Sequence, residues 1–194
     1  MNNLDVITID TNPYKDGPTN YKTQIKLFFL VPETHPALKK ILPLFNFDKP
    51  PVNPIEFASS LVETCKKYKG IGLSANQCGY EHRVFVMGND DNFVSFFNPK
   101  IVSTSGETIK MEEGCLSFPD LFLTVERPYS IVVEYQDFNG KVRNTTFGGL
   151  TARCFQHELD HMNGIVYTHR VSPLSLHMAL KKKRKNKHDN RKVA

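Results

Sequence analysis

The chain has no tryptophan, and its 4 cysteines (Cys65, Cys78, Cys115 and Cys154) form no Cys-x-x-Cys pair. Cysteines so few and so scattered exclude a disulfide scaffold and a closed zinc knuckle, and point to a reducing compartment. No apolar run approaches the roughly 18 residues of a membrane-crossing helix. The amino terminus, Met1-Asn2-Asn3-Leu4-Asp5, lacks the basic start and apolar stretch of a secretory signal. It also lacks the arginine-rich, acid-poor character of an organellar presequence, so a cytoplasmic location is expected. With 194 residues, 40% of them hydrophobic, the chain suits one domain with a sizeable core.

Against these absences stands Gln156-His157-Glu158-Leu159-Asp160-His161. Four residues along an α-helix bring both imidazoles to one face, one turn apart, which is the spacing that grips a single metal ion. A glutamate beside the first ligand can take a proton from a water activated there. Leu150, Cys154, His157 and His161 recur at helical spacing after Gly148-Gly149. The bland alternative is a chance match on a surface helix.

Hydrolysis at such a site needs a third protein ligand. Zinc endopeptidases take it downstream, from a histidine in HExxHxxGxxH or from a later glutamate. Gly164 falls in register with the first pattern, but Tyr167 occupies the histidine's place, and no glutamate follows Glu158. His169 is a poor spare. The ligand is therefore sought upstream, where Cys115 in Glu112-Glu113-Gly114-Cys115-Leu116-Ser117 is the best candidate. Taken alone, Cys115 could equally be a small buried hydrophobe.

Three segments in order, some forty residues apart, together resemble the peptide deformylase family. They are Gly70-Ile71-Gly72-Leu73-Ser74-Ala75-Asn76-Gln77, then Glu113-Gly114-Cys115-Leu116-Ser117, then Gln156-His157-Glu158-Leu159-Asp160-His161. The second and third fit EGCLS and HExDH without departure, whereas the first carries Ser74 where the family more often has alanine. Phe122 stands near a position where many members carry a peptide-holding arginine. Outside residues 70 to 161 the likeness thins to Thr11-Asn12-Pro13, in place of an opening Asp-Pro-like turn.

The resemblance implies hydrolysis of the formyl group from an N-formyl-methionyl peptide, giving formate and a free amino terminus. By it, Cys115, His157 and His161 bind one divalent metal, with a fourth position open to water. Glu158 acts as base and then acid, and the Gln77 amide and the Leu116 backbone N–H face the developing oxyanion. It implies iron(II) as the physiological ion, although a Cys-His-His set also suits zinc, nickel or cobalt. The peptide is expected to pair along Ile71-Gly72 like an added strand, past Gly114. Ile71, Met111, Leu150 and Cys154 are the candidates for an apolar methionine pocket, by their proximity to the motifs.

The expected fold is α+β, with mainly antiparallel strands packed around the HExDH helix. Residues 53 to 69 read as a helix. Asn53 caps it, Pro54 opens it, Glu56 completes an Asn-x-x-Glu start, Lys66, Lys67 and Lys69 suit its negative end, and Gly70 stops it. Strands are expected at 83–87, 93–97, 108–112, 121–125, 130–136 and 141–147. The last two flank Asn139-Gly140, a strong hairpin signal. Phe93, Phe96 and Phe97 read as core. Residues 28 to 56, crowded with six prolines, read as a long loop or insertion with a short helical piece at 37–44.

Residues 1–172 are thus expected to form the catalytic domain and 173–194 a basic, flexible tail. From Lys181 to Ala194 eight lysines or arginines face one acid, Asp189, a net of +7. The whole chain carries +5, so residues 1–180 carry −2. Like-charge runs are usually solvated extensions, but they also gain affinity for phosphate backbones by releasing counterions. Since deformylases act on chains leaving the ribosome, contact with ribosomal RNA through residues 181–192 is one expectation. Leu174, Leu176, Met178 and Leu180 before the run form no clean helical face. A monomer in a bacterial cytosol, or a host cytosol if phage-encoded, is the default. Two rival functions are a zinc endopeptidase, disfavoured by the missing downstream ligand, and a catalytically inactive ribosome-associated homologue. Retention of Glu158, Gln77 and all three ligand types disfavours the second.

Overall fold

The computed structural model describes residues 25–89 and 92–192, so the turn at Thr11-Asn12-Pro13 lies outside the described residues. Among the described residues, seven strands make two antiparallel sheets. β1 (Gly72–Ser74), β2 (Val84–Asn89), β3 (Asn92–Thr104), β6 (Ser130–Gln136) and β7 (Val142–Gly148) form one sheet in the order β1-β2-β3-β6-β7. β4 (Thr108–Cys115) and β5 (Phe118–Pro128) form a separate two-stranded ribbon. The α-helices among the described residues are α1 (Pro54–Lys67), α2 (Gly149–Met162) and α3 (Pro173–Lys192).

The large sheet is buried on both faces at β2, whose period-2 alternation shows how. Val84 and Val86 join the cluster under α1 with Phe57, Leu61, Leu73 and Phe97. Phe85 and Met87 point the other way, toward Phe155, Leu159 and Met162 of α2. Phe93, Phe96 and Phe97 are all core, as their apolar character predicts. α2 is thus held by its apolar stripe against the sheet, which leaves its histidine face toward the ribbon.

α1 starts as expected. The Asn53 side chain accepts from the Ile55 and Glu56 N–H groups, and Pro54 occupies the first turn. Its end differs, because the left-handed residue that turns the chain is Lys69 (φ 56) and not Gly70. Gly70 is required for room, since a Cβ there would lie 2.7 Å from Leu116 Cδ1 and 3.1 Å from Cys65 Sγ. The hairpin at Asn139-Gly140 forms with Gly140 at φ 78 and Gln136 opposite Val142.

Three other elements depart from the sequence reading. β3 runs on to Thr104 through register shifts between Phe97 and Lys100 and between Ile101 and Ser103. Of the helical piece at 37–44, only a 3-10 turn at Pro36–Lys39 forms. The proline-rich stretch around it buries Phe28, Ala37, Leu38, Leu42 and Phe45 in the core. The basic tail, expected as a flexible extension, is helical over Pro173–Lys192. Leu176, Ala179 and Leu180 of α3 pack with Val171 onto Leu121, Leu123, Val125 and Tyr167, a satellite core on the ribbon. Leu174 and Met178 face outward.

Candidate metal centre

α2 carries His157, Glu158 and His161, all buried. Cys115 ends β4, where a bulge between Glu113 and Cys115 breaks the ribbon's register and turns the sulfur toward the helix. Its Sγ lies 3.3 Å from His161 Nε2. The ligand atoms of Cys115, His157 and His161 all lie within 4.8 Å of one another. Sulfur and nitrogen ligands of one tetrahedral ion sit about 3.6 Å apart, given metal–ligand bonds of 2.0–2.3 Å. One thiol and two imidazoles, all at least partly buried, therefore fit a single divalent ion.

Buried charge orients the first histidine. His157 Nδ1 lies 2.9 Å from Glu113 Oε2, which leaves Nε2 for the ion. Burial works against a proton on His157, but hydrogen bonds with Cys115 and Glu113 outweigh it and push the imidazole up to about 10. Glu113 in turn accepts from Arg127 Nε at 2.6 Å, Arg127 Nη2 at 2.9 Å and Arg153 Nη1 at 2.9 Å. Burial alone would raise Glu113, yet its hydrogen bonds with Arg127 and His157 hold it well below the usual carboxylate range. Arg127 Nη1 reaches Asp160 at 2.7 Å, and Arg170 closes on the same carboxylate. A continuous ionic chain thus runs from His157 to the foot of α3. The second histidine is held less tightly. Its backbone carbonyl accepts from Asn76 Nδ2 at 2.8 Å, and its Nδ1 is buried with no hydrogen-bond partner among the described residues. Burial lowers its pKa.

Glu158 faces β1. Its Oε2 accepts from Ser74 Oγ at 2.5 Å. Burial raises its pKa, opposed by the charge of His157 and the Ser74 hydrogen bond. Gln77, 1% exposed in a 3-10 turn (Ala75–Cys78) after β1, accepts from the Ser74 N–H at 2.9 Å. Its amide nitrogen points to Cys115 Sγ (3.4 Å) and Ser117 Oγ (3.2 Å). Leu116 is partly exposed at the ribbon's tip, beside the sulfur. The first, second and third motifs therefore meet at one point.

The remaining candidates are more loosely gathered. Gly72 is buried in β1 against Glu158 and Cys154, and Cys154 Sγ lies 3.5 Å from the Ile71 carbonyl. Ile71 and Leu150 are half-exposed or more, Met111 is partly buried on β4, and Gly114 lies exposed beneath the Phe122 ring. Sequence reasoning missed Arg127, Arg153, Asp160 and the structural role of Glu113. One signal was available, because Leu121, Leu123, Val125 and Arg127 alternate on the inward face of β5, which places an arginine where a hydrophobe is expected.

The chain is similar to known proteins in sequence and in fold. The family model described as polypeptide deformylase matches residues 30–177. A peptide deformylase of Thermotoga maritima is 41% identical over 135 residues, covering 70% of this chain and 80% of that protein. One from Brucella suis is 36% identical over 167 residues, covering 83% and 93%. Among solved structures, a Legionella pneumophila peptide deformylase superposes with a TM-score of 0.74 at 33% identity, over 85% of this chain and 98% of the other. A Synechococcus elongatus peptide deformylase in complex with actinonin gives 0.72 at 34% identity, over 84% and 87%.

Proposed function

The chain belongs to the peptide deformylase family, and from that premise we propose a residue-level account of its reaction. The enzyme is a hydrolase that removes the N-formyl group from nascent peptides. Cys115, His157 and His161 hold one divalent ion. The observation that carries this assignment is the convergence of their ligand atoms within 4.8 Å beside the buried Glu158.

A bound ion supplies Lewis acidity, polarising the formyl carbonyl and making water an effective nucleophile near neutral pH. Glu158 takes the water's proton as its oxygen adds to the formyl carbon. The same carboxyl then gives that proton to the peptide nitrogen as the C–N bond breaks, releasing formate and an amine. A carboxyl raised by burial is suited to both roles. Gln77 Nε2 and the Leu116 N–H donate to the oxygen that becomes negative, and losing one such donor costs on the order of 10² to 10³ in rate.

The substrate backbone adds to the side of β1 that pairs with no other strand among the described residues, along Ile71 and Gly72 and past Gly114. Ile71, Met111, Leu150 and Cys154 line the methionine side chain. An acetyl group is rejected because its methyl crowds the ion and the oxyanion donors. Iron(II) is the physiological ion by resemblance, with zinc, nickel and cobalt accepted by the same donors.

Residues 1–172 are the catalytic domain, with 28–56 as its proline-rich loop, and 173–194 are a basic appendage. Residues 181–192 contact ribosomal RNA, as their charge supports. The protein works as a monomer in the cytosol, bacterial or phage-infected, where formylated chains emerge. No helix among the described residues is long and apolar enough to cross a membrane.

Formate release by nickel-loaded protein from a formyl-Met peptide, with the acetylated peptide as control, tests the reading. Release from the first alone is expected, and Glu158→Ala should retain the metal yet lose turnover about 10²- to 10⁴-fold. Full activity of that variant would remove Glu158 from its role.

A further inference from the structure

We infer that Ser74 is a positioning residue for Glu158, holding one carboxylate oxygen so that the other is left for the travelling proton. The inference rests on Glu158 being the proton carrier, as set out above. Ser74 is fully buried, so its hydroxyl needs a partner inside the fold. It finds one in Glu158, with Oγ 2.5 Å from Oε2 and 3.3 Å from the Glu158 carbonyl oxygen. The carboxylate makes no other hydrogen bond among the described residues.

Strand geometry makes the pairing specific. Residues two apart on a strand face the same way, so Gly72 and Ser74 both face α2 while Leu73 packs beneath α1. Glu158 reaches across to this short strand and meets it at both positions. Oε2 meets the Ser74 hydroxyl, whereas Oε1 lies over Gly72, where an added Cβ would come within 2.5 Å of it. The two oxygens are therefore not equivalent. Oε2 is anchored, and Oε1 stands over the bare backbone of the strand edge along which the peptide adds. A carboxylate at the end of three rotatable side-chain bonds would otherwise sample several orientations, and the hydroxyl selects one.

Ser74 also ties this orientation to the oxyanion donor, because its N–H donates to Gln77 Oε1 at 2.9 Å. That bond turns the Gln77 amide nitrogen toward Cys115 and Ser117. One residue thus fixes the proton carrier through its side chain and the Gln77 donor through its backbone. The hydroxyl also faces the Gln77 backbone N–H in a capping box, so the link to Glu158 is isolated by the double substitution below.

The test uses Ser74→Ala, which deletes the hydroxyl and keeps the strand. The expected result is a kcat about tenfold lower with unchanged KM and one bound metal per chain, the range in which supporting hydrogen bonds act. An unchanged kcat overturns the inference, as does a loss shared with KM or with metal content, which would signal a structural role. Melting temperatures of the metal-free Ser74→Ala, Glu158→Ala and doubly substituted proteins give a second arm. Coupled, non-additive shifts are expected, and additive ones overturn the contact. If the unsubstituted, metal-loaded protein releases no formate, the assignment of Glu158 itself fails. If it is active and Ser74→Ala matches it, only the present inference does.

Discussion

Glu113 Oε2 and His157 Nδ1 stand 2.9 Å apart, and the same glutamate is gripped by Arg127 and Arg153. A single side chain therefore orients a candidate metal ligand and pairs with two buried cations. Glu113→Gln keeps the shape and removes the charge. It should loosen the ion 10- to 100-fold, roughly the effect of lost support behind a ligating histidine, as read by competition with a chelator. It should also destabilise the fold by about 3–5 kcal/mol, because Arg153 stays buried with only carbonyl partners and Arg127 keeps only Asp160. Metal retention equal to the parent's would show that the carboxylate does not support the ligand.

At Gly72 a single added methyl group would press directly on Glu158. A Cβ there would fall 2.5 Å from Glu158 Oε1 and 2.8 Å from Cys154 Sγ. Gly72→Ala should fold and bind metal yet lose at least tenfold in kcat, since a displacement near 1 Å at the reacting groups can cost about 10²-fold. Turnover at the parent's rate would mean the carboxylate can move without consequence.

Removing residues 181–194 deletes the charge and spares Leu176, Ala179 and Leu180, which cover the satellite core. Peptide turnover should be unchanged, and salt-sensitive co-sedimentation with ribosomes should disappear. Removing residues 173–194 should in addition lower Tm by roughly 5 °C or more, because Leu121 and Leu123 lose their cover. Co-sedimentation that survives the shorter deletion would rule out the basic segment as the contact.

His82 gives a pH dependence remote from the metal. It packs edge-on against Phe45 and Phe57 and stacks on Tyr80. Burial pushes its imidazole below the usual pKa of about 6.5, outweighing the opposite pull of Glu81. As pH falls through about 6.5 the unfolded chain takes a proton that the folded chain refuses, so this stability is present above that pH and declines below it. The urea midpoint of metal-saturated protein should fall between pH 7.5 and 5.5, and His82→Gln should fall less. Parallel declines would exclude His82 as the source.

Some of this architecture is visible in the chain and some is not, for physical reasons. β6 is legible to the residue because alternation and Asn139-Gly140 mark its bounds, and α1 because its cap, proline and lysines agree. β1 is invisible to such reading, since three residues cannot display a period and one of them is glycine. The ionic chain from Glu113 to Asp160 joins residues 14 and 33 positions apart, which no local pattern encodes. Spacing misleads at α3, where Leu174 to Leu180 advance in twos. The buried face instead draws on Leu176, Ala179 and Leu180, completed by Val171 from outside the helix. The extended stretch around Phe28 and Phe45 buries side chains at irregular intervals, so its share in the core leaves no periodic trace.

The docking of α3 has a mechanical consequence. Beyond Leu180, the last side chain of the satellite core among the described residues, the helix continues through Lys192, a helical arm of about 18 Å at 1.5 Å per residue. A slack leash would raise only the local concentration of an enzyme near whatever anionic surface received the charge. An arm clamped at its root also sets a heading, so the mouth of the metal site would meet that surface at one angle and one standoff.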